Sequence, residues 1–236
     1  MPPGADIAST LEDISRRLRA AAARSGRNSD DILLVAVSKT VPPDVVRAAA
    51  AAGQRHFGEN RVQEGLDKIS ATGDLQLEWH LIGHLQSNKA KKAASAFAWI
   101  HSIDSVELLR KVDSAAAESG ARPRVLIQAD LARESTKFGA EEAAVGDIAK
   151  AAMDARAADL RGLMIVPPLA RDPEESRPWF RRLRDLRDAL VSDGIPAVNL
   201  AHLSMGMSHD FEVAIGEGAT MIRVGTSIFG HRAPAA

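Results

Sequence analysis

The chain contains no cysteine and no tyrosine, and only 4% of its residues are aromatic. Without cysteine there are no disulfides, no thiolate metal ligands and no cysteine nucleophile, and the composition fits a reducing compartment. Net charge is nearly absent too, because 30 lysines and arginines meet 31 aspartates and glutamates. No overall field therefore draws the molecule to nucleic acid, an anionic membrane or a polyanion, and any anion it binds needs a local site. The opening Met1-Pro2-Pro3-Gly4 lacks the basic start and apolar centre of a signal peptide, and no apolar run is long enough to cross a bilayer. These absences predict a cytoplasmic protein with neither a membrane nor a nucleic-acid partner.

What is present is a rhythm. A length of 236 residues suits a single α/β barrel with one sizeable core, and the whole of residues 1–236 is read as one domain. Ile7, Leu11, Ile14 and Leu18 recur at helical spacing with arginines between them, which predicts an amphipathic helix within residues 1–28 packed on the outside. Short apolar runs follow at Ile32–Ser38, His56–Gly58, Glu78–Gly83, Trp99–Ile103, Arg124–Ala129, Leu160–Val166, Val198–Leu203 and Met221–Val224, each trailed by a helical stretch. Eight such units, several of them apolar at successive positions, predict parallel strands covered on both faces. A (β/α)₈ barrel is the expected fold, with an open doubly wound sheet as its competitor.

Helix signals fall between the runs: Pro43 before an alanine-rich stretch, Ser105 with Glu107 and Leu108, and residues 141–155. In 179–191 the apolar Phe180, Leu183, Leu186 and Leu190 share one face while arginines and aspartates surround the rest, the pattern of a salt-laced outer helix. The basic run of Lys89, Lys91 and Lys92 has no aromatic stacking partner nearby in sequence and reads as a solvated face.

In such barrels the loops after the strands build the site. Lys39 ends the first run, where apolar surroundings would favour the neutral amine that adds to an aldehyde, although a strand-capping lysine is commonly just solvated. Ser204-Met205-Gly206-Met207-Ser208 follows the seventh run and Gly225-Thr226-Ser227 the eighth. These two loops commonly cradle phosphate in barrels, and plain turn chemistry is the alternative. Arg223 shares a strand face with Gly225, and an inward arginine needs a partner: a pyridine nitrogen or a buried carboxylate.

Together with these residues, the blocks Ala36–Thr40, Phe57–Glu64, Trp79–Lys89, His101–Ser105, Ser204–Ser208 and Arg223–Gly230 make the chain resemble, over nearly its full length, the pyridoxal phosphate homeostasis protein family. The resemblance implies a barrel of the alanine racemase N-terminal-domain kind, the fold type III of pyridoxal 5′-phosphate (PLP) proteins. It implies Lys39 as the Schiff-base lysine, Ser204, Gly225 and Thr226 on the phosphate, Arg223 at the pyridine nitrogen and Asn60 near the ring. Met205 and Gly206 stand beside Ser204 in the same block, and His84, at the end of its strand, is placed either to approach the cofactor or, more commonly for such a residue, to serve as a satisfied structural histidine. Departures fall at His209 and Ala219, while Glu134, Lys137 and Gly139 keep the pattern of a middle loop in which Phe138 is bulky.

Two motifs carry no function. His80 and His84 have the outer spacing of a helical zinc motif without its glutamate, so no metal is expected, and Gly216-Glu217-Gly218 reads as a turn. An arginine on the pyridine nitrogen weakens the ring as an electron sink, and a two-base racemase of this fold would need a tyrosine that the chain lacks. The expectation is a monomeric PLP carrier that serves cofactor homeostasis and delivery to apo-enzymes without robust turnover. Its alternatives are a PLP-dependent amino-acid racemase and a regulatory protein that senses PLP.

Overall fold

The computed structural model describes residues 7–132 and 138–230. Its strands are β1 (Leu33–Val37), β2 (His56–Glu59), β3 (Glu78–Leu81), β4 (Trp99–Ile103), β5 (Arg124–Asp130), β6 (Ala140–Glu141), β7 (Asp159–Met164), β8 (His202–Met207) and β9 (Met221–Val224). All pair in parallel. The order runs from β1 through β2, β3, β4, β5, β7 and β8 to β9, and β9 returns to β1 with Leu33 opposite Met221. The two-residue β6 lies against the end of β5, outside the ring. The barrel is therefore closed, and the open sheet is excluded.

Helices α1 (Ile7–Arg24), α2 (Pro43–Ala51), α3 (Val62–Ala71), α4 (Ala90–Ala96), α5 (Val106–Ser119), α6 (Glu142–Met153), α7 (Arg177–Ser192), α8 (Phe211–Gly216) and α9 (Thr226–Phe229) cover it. Local chemistry sets their ends. Pro43 opens α2, where its missing N–H costs nothing. Ser105 caps α5 by accepting from the Leu108 N–H, and Gly120 closes that helix in the left-handed conformation. Helix α1 buries Leu11, Ile14 and Leu18 against α8 and α9. It is tied there by Arg17, which donates to Glu212 at 2.9 Å, while Arg27 in the following loop donates to the carbonyls of Ile215 and Ala219 at 3.0 and 2.7 Å. In α7 the apolar face is buried and three arginines, Arg177, Arg181 and Arg184, converge on the Glu217 carboxylate.

One strand differs from expectation. Residues 197–200, apolar like a strand, form a 3₁₀ turn after Pro196, and β8 begins only at His202. Ser204, Met205 and Gly206 are consequently strand residues and not a loop. Between Ser204 and Met207 the strand advances three residues while β9 advances two, which is a β-bulge. Gly206 supplies it with φ +91°, and a Cβ there would lie 2.6 Å from the Ala214 Cβ and 2.9 Å from the Phe211 Cα. Only glycine lets α8 sit this close while the strand turns its next residues towards the mouth.

The apolar core has two parts. A large cluster fills the layer between barrel and helices, and a small one of Trp99, Leu126, Met164 and Met221 lies apart from it. Each fully buried large side chain contributes about 1.5–3 kcal/mol relative to exposure.

Candidate cofactor site

At the C-terminal ends of the strands lies a cavity of about 360 Å³, within the usual range for small-molecule sites. Its wall brings together Lys39, Asn60, Arg223, Gly225 and Thr226, five residues expected from the sequence, with Val37, Ile82 and Val166 as apolar surface. Met207, Ser208 and His209, delivered by the bulge, complete it.

Lys39 follows β1 and is exposed at the mouth, contrary to the expectation that apolar neighbours would desolvate it. The backbone beside it is tightly held. Thr40 has φ +60°, a left-handed conformation that costs a non-glycine residue about 1–2 kcal/mol. Its N–H donates to Glu64 Oε1. Buried Lys68 donates to the Ser38 carbonyl at 2.6 Å and to Glu59 Oε1 and Glu64 Oε1, each at 2.7 Å, while the Ser38 hydroxyl donates to Glu59 Oε1 at 2.6 Å. The peptide units on both sides of Lys39 are thus clamped by one buried ionic network. Burial raises the Glu59 pKa against the opposing pull of Lys68 and Ser38. For Glu64 burial also acts upward, but the hydrogen bonds from Lys68 and Thr40 outweigh it and the net shift is down. Glu59 Oε2 has no partner among the described residues.

Asn60 follows β2, and Gly83 lets β3 end beside it: a Cβ at Gly83 would fall 2.2 Å from the Asn60 carbonyl oxygen. On the far side, the N–H groups of Gly225 and Ser227 both donate to Ser208 Oγ, at 3.2 and 3.3 Å. Two backbone donors converging on one oxygen form an anion-type cradle at the start of α9.

Arg223 is 4% exposed. Its Nη1 donates to Ser204 Oγ at 2.6 Å and its Nη2 to the Ile165 carbonyl at 2.8 Å. Among the described residues no carboxylate hydrogen-bonds it, although the Asp210 carboxylate attracts it at longer range. Burial lowers its pKa to about 10, which leaves it a cation at neutral pH.

Four other expected residues stand away from the cavity. Ser204 is fully buried, and its hydroxyl is engaged by Arg223 and by His101 Nδ1 at 3.0 Å. The hydroxyl that meets the cradle belongs instead to Ser208. Met205 lies in the outer core, and Gly206 forms the bulge. His84, within salt-bridge range of Asp104 at 3.5 Å, stacks on Phe138 with ring centroids 3.8 Å apart. Of the departures, His209 lines the mouth and faces the Arg171 carbonyl at 3.1 Å, while Ala219 is buried in the core. Glu134 and Lys137 lie outside the described residues.

Sequence reasoning also passed over a polar assembly in the barrel. His80, considered only for zinc, joins His56 and Glu78 in a group whose ligand atoms lie within 4.8 Å of one another. The Glu78 carboxylate already accepts from Arg124 at 3.0 Å and from Trp99 Nε1 at 3.1 Å, so a cation there would face a guanidinium.

A closed parallel barrel with a lysine after its first strand and an anion cradle after its last defines a class, and residues 10–233 match the family of the alanine racemase N-terminal domain. Within that class the chain belongs to the pyridoxal phosphate homeostasis protein family. It is 43% identical over 222 residues to the pyridoxal phosphate homeostasis protein of Aquifex aeolicus, covering 94% of this chain and 96% of that one. The Escherichia coli K12 protein of the same name is 40% identical over 230 residues, 96% of this chain and 97% of that one. Among solved structures, PipY of Synechococcus elongatus with PLP bound is 42% identical with a TM-score of 0.81, covering 92% of this chain and all of PipY.

Proposed function

We propose that this chain binds PLP in the cavity through Lys39 and serves PLP homeostasis and delivery to apo-enzymes in the cytoplasm, as a monomer and without robust amino-acid turnover. The observation that carries this reading is the convergence, in one cavity, of Lys39, the Arg223 cation, Gly225, Thr226 and Ser208, with the N–H groups of Gly225 and Ser227 both directed at Ser208 Oγ. PipY, at 42% identity, supports it from outside.

The donor set fits the cofactor. PLP, when bound, supplies an aldehyde open to amine attack, a basic ring nitrogen and a phosphate. The Gly225 and Ser227 N–H groups with the Ser208 and Thr226 hydroxyls would hold the phosphate, and Lys39 would take the aldehyde. Asn60 would stand near the ring, with Val37, Ile82, Val166 and Met207 as the apolar lining available to it. Arg223 would donate to the ring nitrogen, and a permanent donor there keeps that nitrogen unprotonated and the ring a poor electron sink. With no tyrosine in the chain, a second acid/base of the kind used by racemases of this fold is also missing. Among the described residues no helix is long and apolar enough to cross a membrane.

The test is an absorbance spectrum of the purified chain with PLP, before and after borohydride, beside Lys39→Ala, with mass mapping of the fixed adduct. A band trapped on Lys39 and lost in the variant is the expected result. An adduct scattered over surface lysines defeats the reading, and amino-acid turnover that Lys39→Ala abolishes replaces it with a racemase.

A further inference from the structure

Three histidines that the cavity does not use run through the barrel. Ser204 Oγ lies 3.0 Å from His101 Nδ1, His101 Nε2 lies 3.0 Å from His80 Nδ1, and His80 Nε2 lies 3.2 Å from His56 Nδ1. One end of this line is Arg223, whose Nη1 donates to Ser204. The other is His56, the first residue of β2, on the opposite face of the barrel with its side chain 25% exposed. Ser204, His80 and His101 are each 0% exposed. Parallel barrels normally fill this space with branched apolar side chains, and an unpartnered polar group there costs several kcal/mol, roughly 2–7. Polar groups persist here because each completes the next.

We propose that Ser204, His101 and His80 are positioning residues for Arg223 and that they transmit the protonation state of His56 to the floor of the cavity. The link to the cofactor rests on the binding reading given above; the line itself does not.

Its direction follows from counting donors. A guanidinium only donates, so Ser204 Oγ accepts from Arg223, and the arrangement that leaves no hydrogen of the line unshared has Ser204 giving its single hydrogen to His101 Nδ1. His101 then carries its hydrogen on Nε2 and donates to His80 Nδ1. His80 does the same towards His56 Nδ1, and His56 keeps its hydrogen on Nε2. Every ring is neutral, and each nitrogen within the line is used once.

The surroundings keep the centre neutral. Burial, the largest cause, pushes His80 well below the ordinary imidazole value, reinforced by His101, His56, Arg124 and His202. His101 is lowered in the same way by burial, then by Arg223 and His202. His202 is itself lowered by burial and by Arg161 and Arg124. His56 is lowered by burial too, but Glu78, 3.9 Å away, opposes that shift while Arg124 adds to it. Of the three histidines in the line, His56 alone has both solvent and a carboxylate in reach.

A proton taken from water by His56 turns both its nitrogens into donors. His80 must then accept at Nε2 and hold its hydrogen on Nδ1, and His101 must do likewise, donating from Nδ1 to Ser204. The two states differ by one solvent proton on His56; His80 and His101 each keep a single hydrogen that changes nitrogen. Ser204 then accepts from both His101 and Arg223 while its own hydrogen turns away. The hydrogen-bond polarity beside Arg223 reverses although no charge enters the barrel's centre.

Nitrogen-15 NMR of the histidine-labelled full chain without cofactor, from pH 8 to pH 5, tests the line beside His56→Gln, whose amide accepts but does not titrate. His80 and His101 should be Nε2–H forms at pH 8 and change to neutral Nδ1–H forms as His56 charges, with no change in the variant. Tautomers that stay fixed through the His56 titration, or change equally in His56→Gln, overturn the proposal. PLP affinity over the same range tests the transmission. The natural chain should lose about two- to tenfold more than His56→Gln, the worth of one hydrogen bond, and identical pH profiles overturn that link. A tautomer change in a chain that takes up no PLP keeps the line and refutes the cofactor reading; uptake on Lys39 with fixed tautomers does the reverse.

Discussion

Behind Lys39 the buried support is ionic, with Lys68 held between Glu59 and Glu64, whereas behind Arg223 it is a neutral alternation of hydroxyl and imidazoles. The ionic network grips main chain, the Ser38 carbonyl and the Thr40 N–H, and so fixes where the Lys39 side chain starts. The neutral line grips the Arg223 side chain itself. A carboxylate in that place would pair with the guanidinium and cancel the charge it offers the cavity, while a hydroxyl satisfies the donor and leaves the charge in place. Two supports for one cavity thus differ because one must place a backbone and the other must hold a cation without neutralising it.

The comparison breaks most sharply at Lys68. Lys68→Met strands the Glu59 charge in the interior, and urea denaturation should show a loss of about 3–5 kcal/mol. His101→Leu leaves Ser204 and His80 each short of a partner, and the same measurement should show a loss of about 2–4 kcal/mol. Gly206→Ala forces a Cβ into α8 at a left-handed φ; a loss of about 1–3 kcal/mol is expected, with weaker PLP uptake because Met207 and Ser208 are displaced.

The pH responses differ within and between the two supports: Glu64, held below the ordinary carboxylate value, loses its contribution on acidification as the histidines do, while Glu59 has the opposite sign. The folded pKa values of His80 and His101 lie below the ordinary 6.5, so the unfolded chain binds the extra protons and stability falls as pH drops below that value. Glu59 has a folded pKa above the ordinary 4.5, so the folded chain binds the extra proton and its contribution to stability rises as pH drops through the raised value. Glu59→Gln should therefore remove a contribution that grows on acidification towards the ordinary carboxylate value, and the decline in stability over that range should be steeper in denaturation curves. The smallest effect is expected at Thr40→Gly, which relieves the left-handed strain but frees the unfolded chain, for a net gain below about 1 kcal/mol. A thermal shift together with faster PLP release would show that the strain serves to hold Lys39.

Much of this was legible in the sequence because parallel barrels repeat a local signal. The eight runs fell near eight strands, and the cavity residues Lys39, Asn60, Arg223, Gly225 and Thr226 sit at or just beyond strand ends, where the fold class places chemistry. The seventh run failed because Ala197, Val198 and Leu200 are apolar without being extended, while the true strand carries a serine and a glycine that only its bulge explains. Ser204 accordingly moved from a loop to the interior, and Ser208 took its place at the cradle. The histidine line had no local signature at all. His56, His80 and His101 come from three consecutive strands, and only the ring of pairings with its register brings them within bonding distance.

The ring closes by joining β1 to β9, and α1 lies on α8 and α9. On the ribosome this means that the first helix emerges long before the surfaces it covers, with Leu11, Ile14 and Leu18 waiting for a partner. Arg223 and the Gly225–Ser227 cradle belong to the last strand and the turn after it, so a nascent chain has no half-formed pocket to load. A cavity lined from both the first and the last strand of the ring exists only once β9 has closed on β1, and a barrel that opens along this seam separates Lys39 from Arg223 and Gly225.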